Sequence, residues 1–319
     1  MQLNNKNKLL ELMSQGAVVI TPNNRLSADL ERHYFKSVTR NTLDKPRCQP
    51  YSMFLTQSYN QLKRNCTNSP FPLLLNNIQS RHLWQKIIKD DTEITYSEGL
   101  LAAIVQAWEY CTQWDVDPKH SAFKHNTQTE RFQLWWHHFN KHLDTFNLIT
   151  EQQISSCLIK EPLIKIPHTL IWVCFDGFTP QQVRLQSYFT ANEVTQYFYD
   201  LPQKKGITEV VAAQDNKEEY DQLFLWLKQK IILKESRIGV VIPNLQQESR
   251  TVHRLFSQHF DVAEYNISLG QPLIDFPIIA HALNWLAMST DLCTQQQAQL
   301  LLQSPYTGSA KEEFLARSH

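Results

Sequence analysis

The sequence predicts an α/β fold of two parallel-sheet units with large helical insertions, the second unit being incomplete. Two observations lead to this prediction. Apolar runs rich in β-branched and aromatic residues, at 18–21 and 170–175, each end at a Pro-Asn or Asp-Gly turn signal, after which a helical pattern begins. Nearly unbroken helical periodicity over 73–160 separates the two runs. We therefore expect both runs to be neighbours in one parallel sheet.

The N-terminal part alternates between helical and extended patterns. Residues 6–15 predict a polar helix, and 17–21 predict a strand buried on both faces. Residues 24–35 predict an amphipathic helix, because apolar side chains recur there every three or four positions. Residues 50–62 predict another helix, with Ser52 as its cap.

The block at 73–160 contains five of the eight tryptophans and almost no strand signal. It is best explained as a helical insertion, because strand signals return at 169. Within it Trp84, Trp108, Trp135 and Trp136 fit either a packed core or a surface that stacks on nucleic-acid bases. Their helical spacing among Leu and Phe residues favours the core.

Strand and helix signals alternate again in the C-terminal half, which is typical of a second α/β unit. The predicted strands are 170–175, 196–199, 209–212 and 237–242. The predicted helices are 180–189, 217–231, 246–260, 278–287 and 295–302. The last of these patterns leaves the second sheet without a closing element.

Composition restricts the function classes only weakly. The 31 Lys and Arg residues balance the 31 Asp and Glu residues, so any DNA binding has to come from a local basic patch. Six scattered cysteines without a CxxC pair predict free thiols in a reducing compartment. Residues 1–15 lack the apolar core of a signal peptide, and no run reaches the length of a membrane span. We expect a cytoplasmic protein without a membrane partner.

None of the seven glycines is followed by lysine. The sequence therefore has no phosphate-binding loop of the Gly-x-x-x-x-Gly-Lys-[Ser/Thr] type. We expect no efficient ATP hydrolysis by this chain, no cofactor and no metal ion.

Six segments stand out in chain order: TPNNRL at 21–26, FDGFTPQQ at 175–182, KEEY at 217–220, GVVIPNL at 239–245, ISLGQPL at 267–273 and LQSPY at 302–306. Together they resemble bacterial probable DNA repair proteins similar to the AddB subunit of helicase–nucleases. The resemblance implies two RecA-like, superfamily 1 helicase-like units. It also implies a C-terminal PD-(D/E)xK nuclease that would lie beyond His319.

The resemblance also suggests roles for particular residues. Thr21, Asn23, Asn24 and Arg25 match a segment that contacts the DNA backbone in helicases, and Asp176 takes the place of the Walker B acid. A neighbouring Glu that would activate water is missing beside Asp176. Too few residues precede the first strand to hold a phosphate-loop strand and its helix. These departures imply an ATPase-inactive unit.

The expected organisation follows from the same resemblance. Residues 1–203 would form the first helicase-like domain, with a helical insertion at about 62–167. Residues 204–270 would form part of a second such domain, and 271–319 would begin a second helical insertion. The expected function is weak binding to single-stranded DNA or duplex ends, or scaffolding of a DNA repair complex with a partner helicase–nuclease subunit.

Two rival functions stay open at this stage. The first is a purely structural module that holds a partner protein. The second is a metal-dependent nuclease at Asp200, Asp215 and Lys217, since the last two residues imitate the D-x-K half of the nuclease motif. Asp215 to Lys217 equally fit the cap of the following helix, and this interpretation is favoured.

Other candidate residues have plain structural alternatives. Asp176 fits a magnesium ligand, but a turn residue or helix cap is favoured. Arg25 fits either a phosphate contact or a surface salt bridge. His137, His138 and His142 lie close together on one helix, yet no third ligand at suitable spacing accompanies them, so ordinary histidines are favoured over a metal site.

Overall fold

The computed structural model describes residues 1–3, 5–37, 45–65, 71–160, 167–201, 206–232, 238–270, 272–288, 294–306, 308–309, 312–313 and 315–316. These residues fall into two compact units, Met1–Gly206 and Ile207–His319. The expected domain boundary between 203 and 204 lies outside the described residues, as do Cys66, Gln271 and Cys293.

The first unit is built on a sheet of five parallel strands. The unit has seven strands in its described residues, five in this main sheet and two in a separate pair. They are β1 (Gln2–Leu3), β2 (Val18–Thr21), β3 (Cys48–Pro50), β4 (Leu73–Leu74), β5 (Leu148–Ile149), β6 (Thr169–Val173) and β7 (Thr195–Tyr199). The main sheet has the order β1-β7-β6-β2-β3, and β4 pairs with β5 in a separate parallel pair. The predicted α/β class is confirmed.

Strands β2 and β6 are neighbours despite their separation in sequence. Val18 pairs with Leu170, and Ile20 pairs with Trp172. The prediction that these two runs share one parallel sheet is therefore confirmed. The helical residues between them provide the crossover that a parallel pair requires.

Helices cover both faces of the main sheet. The helices of the unit are α1 (Lys6–Ser14), α2 (Asn24–Ser37), α3 (Tyr51–Asn65), α4 (Asn77–Lys89), α5 (Glu98–Gln113), α6 (Thr127–Thr145), α7 (Ile154–Lys160) and α8 (Pro180–Ala191). Helices α1 and α2 pack on one face, against Val19 and Ile171. Helices α3, α7 and α8 pack on the other face, against Ile20 and Trp172. This double coverage explains why both strands are apolar on both faces.

Two edge strands and one cap differ from the sequence predictions. Strands β1 and β3 occupy the two edges of the sheet. They are too short to show an alternating pattern, and so they were not predicted. Pro50 ends β3, and Ser52 lies inside the first turn of α3. The predicted cap at Ser52 is therefore wrong, because pairing with β2 holds residues 48–50 in the extended conformation.

Helices α4, α5 and α6 form a bundle, here called the helical block, with an aromatic core. Trp84 stacks on Phe139 with ring centroids 4.1 Å apart, and Trp108 meets the same ring edge-on at 5.2 Å. Trp135 and Trp136 are also buried. The core interpretation of the tryptophan stripe is confirmed.

The second unit is helical wherever it has regular structure in the described residues. Its helices are α9 (Asn216–Ile232), α10 (Leu245–His259), α11 (Pro277–Ala287) and α12 (Gln295–Leu302). A small core joins α9 and α10 through Phe224, Leu227, Val252 and Phe256.

The predicted second sheet is wrong for the residues that can be described. Residues 209–212 and 238–242 run without strand pairing, while Arg237 lies outside the described residues. Val210 is 92% exposed and Val241 is 90% exposed. A parallel strand needs a neighbour to accept its backbone hydrogen bonds, and neither segment has one among the described residues of this unit.

No helix in the described part of the chain is long and apolar enough to cross a membrane. Cys48, Cys111, Cys157 and Cys174 are free thiols, as the scattered cysteine pattern predicted.

Candidate functional site

In the first unit, the connections that follow two neighbouring strands lead to opposite faces of the sheet. After β2 the chain continues into α2, on one face, and after β6 it continues into α8, on the opposite face. Strand β3 lies beside β2 on the outer side, and β7 lies beside β6 on the other. The connections therefore diverge between β2 and β6. In open α/β sheets such a switch point, at the carboxyl ends of the strands, is where ligands bind.

The turn after β2 is held by two of the predicted site residues. The Thr21 side chain is fully buried; its hydroxyl donates to the Asn23 carbonyl at 2.9 Å and lies 2.6 Å from Ser27 Oγ. Asn23 Oδ1 accepts a hydrogen bond from the Leu26 backbone N–H at 3.0 Å. Thr21 thus does not reach the surface, and Asn23 caps helix α2.

The other two predicted contact residues are on the surface. Asn24 and Arg25 are exposed and form the first turn of α2. The backbone N–H groups at a helix N-terminus carry a partial positive charge, and an arginine adds a full charge with a planar fork of donors. This turn therefore offers a local cationic surface in a chain of zero net charge.

The turn after β6 contains an unusual backbone conformation. Cys174 has a φ of 53°, in the left-handed region that non-glycine residues seldom adopt. Its backbone N–H donates to the Tyr199 carbonyl at 2.8 Å, which ties the turn to β7. Strained backbone of this kind clusters at functional sites. The periodicity of the sequence gave no signal for it.

Two aromatic side chains of this turn pack against the buried end of β6. Phe175 and Phe178 stack with centroids 5.2 Å apart, and both meet the buried Trp172 edge-on. Both are partly buried, whereas Asp176 and the glycine after it are exposed. Rigid aromatic packing thus presents Asp176 at the carboxyl edge of the sheet.

Asp176 has no metal-site companions in the described residues. No group of three or more His, Cys, Asp or Glu residues that could hold a metal ion occurs there. Helix α8 is capped by Thr179, which forms a capping box with Gln182. Asp176 is therefore a turn residue rather than the cap of α8.

The three central strands place charges of both signs on this edge. Arg25 follows β2, Asp176 follows β6 and Asp200 follows β7. Asp200 Oδ2 accepts a hydrogen bond from Gln2 Nε2 at 3.2 Å. Burial raises the pKa of the Cys174 thiol, and Asp200 and Asp176 add to that shift. The thiol is therefore held neutral and is not an activated nucleophile.

The structure gives the rival nuclease residues other roles. Asp215 Oδ1 accepts a hydrogen bond from the Glu218 backbone N–H at 2.8 Å, at the start of α9. The helix-cap interpretation of Asp215 is therefore confirmed. Asp200 belongs to the first unit, whereas Asp215 and Lys217 belong to the second.

The histidines of α6 have an aromatic environment instead of a metal site. His142 packs on Phe146 with ring centroids 4.6 Å apart, and the His137 and His138 rings are 6.2 Å apart. They join no metal-binding cluster in the described part of the chain.

Neither the protein-family models nor the curated proteins contain a match to this chain.

Proposed function

We propose that this chain is a helicase-like module that binds the DNA backbone at the carboxyl edge of its first sheet without hydrolysing ATP. The observation that carries the proposal is the position of Asn24 and Arg25. They are exposed at the N-terminus of α2, next to the switch point between β2 and β6. Backbone N–H groups, an amide and a guanidinium are donors that proteins use to bind phosphate groups.

The chemistry of the site favours a phosphodiester over a nucleotide. The sequence has no Gly-Lys pair to enclose a triphosphate. A single cationic turn, with Asp176 on the adjacent strand end, suits a few backbone contacts and therefore weak binding. This proposal keeps the expected role of Asn24 and Arg25, while Thr21 and Asn23 shape the turn from within.

The test is fluorescence anisotropy with one labelled oligonucleotide, used both as a single strand and as a duplex, over a series of salt concentrations. Affinity should fall as salt rises, because phosphate binding releases counterions. Arg25→Ala should weaken binding and lower the salt slope by about one. Arg32→Ala is the matched control, since Arg32 is also exposed on α2 but lies two turns further from the sheet edge.

Three outcomes would contradict the proposal. One is no DNA binding by the folded chain, and another is binding that does not depend on salt. The third is an equal loss in Arg25→Ala and Arg32→Ala, which would point to a diffuse charge effect instead of a site at the switch point.

A second candidate function, holding a partner protein, is favoured by the second unit. Its segments at 207–213 and 238–242 have no regular secondary structure and carry exposed apolar side chains, including Ile207 at 95% and Val241 at 90% exposure. Apolar segments whose backbone is not paired in a sheet can pair with a strand of another polypeptide.

Hydrogen–deuterium exchange of the isolated chain tests this second candidate. Backbone amides at 208–212 and 239–241 should exchange nearly as fast as in an unfolded chain, while amides of β2 and β6 should be protected. Slow exchange in both segments would show that they are already paired and would remove the basis of the candidate.

A further inference from the structure

Helix α11 is apolar, yet it lies at the surface of the second unit. Its sequence, PIIAHALNWLA, contains no Asp, Glu, Lys or Arg residue. The structure describes all eleven of its residues, and none of them is buried. A helix that is apolar on most sides is ordinarily enclosed by other parts of a protein or by a partner. The exposure of α11 therefore indicates an interface.

The two sides of α11 are reversed relative to those of an ordinary surface helix. The exposed side is an apolar stripe with the i, i+4, i+7, i+8 spacing that is typical of a core-facing helix. This stripe consists of Ile278, Ala282, Trp285 and Leu286. The partly buried side contains the polar residues His281 and Asn284, and the His281 ring faces the Tyr306 ring with centroids 5.4 Å apart. The polar side of α11 thus packs on its own unit, while the apolar stripe faces solvent.

The turn before α11 enlarges the exposed apolar surface. The large apolar side chains of the turn and the stripe are Leu273, Ile274, Phe276, Ile278, Trp285 and Leu286. They are between 43% and 71% exposed. At about 200 Å² for a fully exposed side chain of this size, they present roughly 700 Å². The largest apolar patch of a typical monomer is about 300–600 Å², and each partner of a stable dimer buries about 800 Å². The segment 273–288 therefore supplies most of the area that a dimer needs.

The charge of this surface favours a second copy of the chain as its partner. Residues 276–288 include no Asp, Glu, Lys or Arg, and Asp275 beside them is paired with Arg250. A charged partner surface would lose its hydration here and find no opposite charge in return. A second copy brings another uncharged surface, and a twofold contact uses the same patch on both copies.

We propose that two copies of this chain pair through their α11 helices, which lie antiparallel across a twofold axis. Ala282 is the central residue of α11, and its small side chain allows the two helices to approach closely. In an antiparallel pair centred there, Ile278 of one copy lies opposite Leu286 of the other. The proposal depends neither on DNA binding nor on strand pairing at 207–213 and 238–242.

Sedimentation velocity of the full chain, over about a hundredfold range of concentration, is the first test. The mass should rise from one chain to two and stop there, because a twofold contact is closed. A mass of one chain at every concentration would overturn the proposal, and so would growth beyond two chains. Cosedimentation of a monomeric chain with phosphatidylcholine vesicles would also overturn it, since the stripe would then face lipid instead of a second copy.

A charge placed on the stripe tests the position of the interface. Ile278→Glu should raise the dissociation constant of the dimer by at least about tenfold, because both copies would bring an unpaired carboxylate into the contact. Leu225→Glu is the matched control, since Leu225 is exposed to a similar extent on α9. Equal effects of the two substitutions, or an unchanged dissociation constant in Ile278→Glu, would overturn the proposal.

Cysteine cross-linking tests the twofold axis itself. In the proposed pair the two copies of residue 282 meet, so mild oxidation of Ala282→Cys should give a disulfide-linked dimer. Ile278→Cys is the control, because its two copies are about 12 Å apart along the helices, beyond the Cα separation of about 7 Å that a disulfide can span. The unsubstituted chain measures any cross-linking through its own thiols. Cross-linking at 282 that does not exceed that at 278 would overturn the proposal, even if Ile278→Glu failed to fold.

Discussion

The two units contain apolar runs of the same kind, but in the part of the chain that the structure describes only the first unit builds a sheet from them. All four residues of β2, Val18–Thr21, are buried, and β2 pairs on both sides. In the second unit the run at 238–242 is equally apolar, yet Val240 is 37% exposed and Val241 is 90% exposed. The comparison shows that an apolar run specifies a strand only when neighbouring strands are present to pair with it.

The largest expected effect is on the free energy of unfolding, and it differs between isoleucines of the two units. Ile171, in β6, is 0% exposed, whereas Ile207 is 95% exposed. Ile171→Ala should lower the free energy of unfolding by about 2–5 kcal/mol, because it leaves a cavity between sheet and helices. Ile207→Ala should change it by less than about 0.5 kcal/mol. Urea unfolding of the full chain measures both.

Similar losses of stability in the two isoleucine variants would contradict this prediction. They would mean that 207–213 is packed in solution, against a strand or against another copy of the chain. Repeating the Ile207→Ala measurement at several protein concentrations distinguishes these two cases, since only self-association depends on concentration.

Arginine ion pairs in the two units differ in how far the arginine side chain is buried. Arg131 donates to both oxygens of Asp91 at 3.0 and 2.9 Å and also contacts Glu93, and its side chain is only 23% exposed. In the second unit Arg250 pairs with Asp275, but its side chain is 82% exposed.

Arg131→Ala should lower the free energy of unfolding by about 1–3 kcal/mol, because Asp91 keeps a partly buried charge with fewer donors. Trp135 Nε1 still donates to Asp91 at 3.1 Å, which limits the loss. Arg250→Ala should have an effect of at most about 1 kcal/mol. Urea unfolding in low and high salt checks both variants, and a larger loss for Arg250→Ala would contradict the prediction.

Much of the fold was predictable because its signals are local. Strand patterns followed by helix patterns at 18–35 and 170–199 predicted the strands β2, β6 and β7. The pairing of β2 with β6 was predicted because the long helical stretch between them can form the crossover that parallel strands require. Strands β1, β3, β4 and β5 were missed because two or three residues show no period. The strand predictions at 209–212 and 237–242 are wrong for the described residues. A strand forms only where another strand of the unit can pair with it, and local sequence does not show whether one is present.

The candidate site was predictable only in part. The turn after β2 was found from a strand end followed by a helix start, and the structure leaves Asn24 and Arg25 exposed there. Thr21 was predicted both as the end of a buried strand and as a DNA contact, and the structure buries it, with its hydroxyl 2.6 Å from Ser27 Oγ in α2. The left-handed φ of Cys174 depends on its tie to β7, and no local residue pattern encodes that tie.

The third prediction compares two tyrosines. Tyr51 Oη, in the first unit, is buried and has no hydrogen-bond partner among the described residues. Tyr220, in the second unit, donates to Glu248 at 2.7 Å. Tyr51→Phe should therefore leave the free energy of unfolding unchanged or raise it by up to about 1 kcal/mol. Tyr220→Phe should lower it by about 1 kcal/mol.

The same tyrosines make the free energy of unfolding depend on pH. Burial raises the pKa of Tyr51 and of Tyr220 to about 12, from an ordinary value of 10.0, and the Glu248 carboxylate adds to the shift of Tyr220. A raised pKa favours the neutral phenol in the folded state. Its contribution to stability is therefore present below about pH 10 and is lost as the pH rises towards about 12.

Unfolding midpoints in urea at about pH 9 and about pH 11 test this sign. The unsubstituted chain should lose stability over that range, and each Phe variant should lose less. Identical losses in the chain and both variants would mean that neither phenol titrates differently in the folded state.

The smallest expected effect is on ATP turnover. The first unit has a parallel sheet with Asp176 at a strand end, but no glycine in the chain is followed by a lysine that could hold a triphosphate. An acidic residue alone leaves a magnesium ion without most of its partners. Phosphate release with magnesium and DNA present should therefore equal the buffer blank, and Asp176→Ala should not change it. Turnover above the blank that Asp176→Ala abolishes would show that the first sheet binds nucleotide by some other loop. The two units would then differ in catalysis as well as in strand pairing.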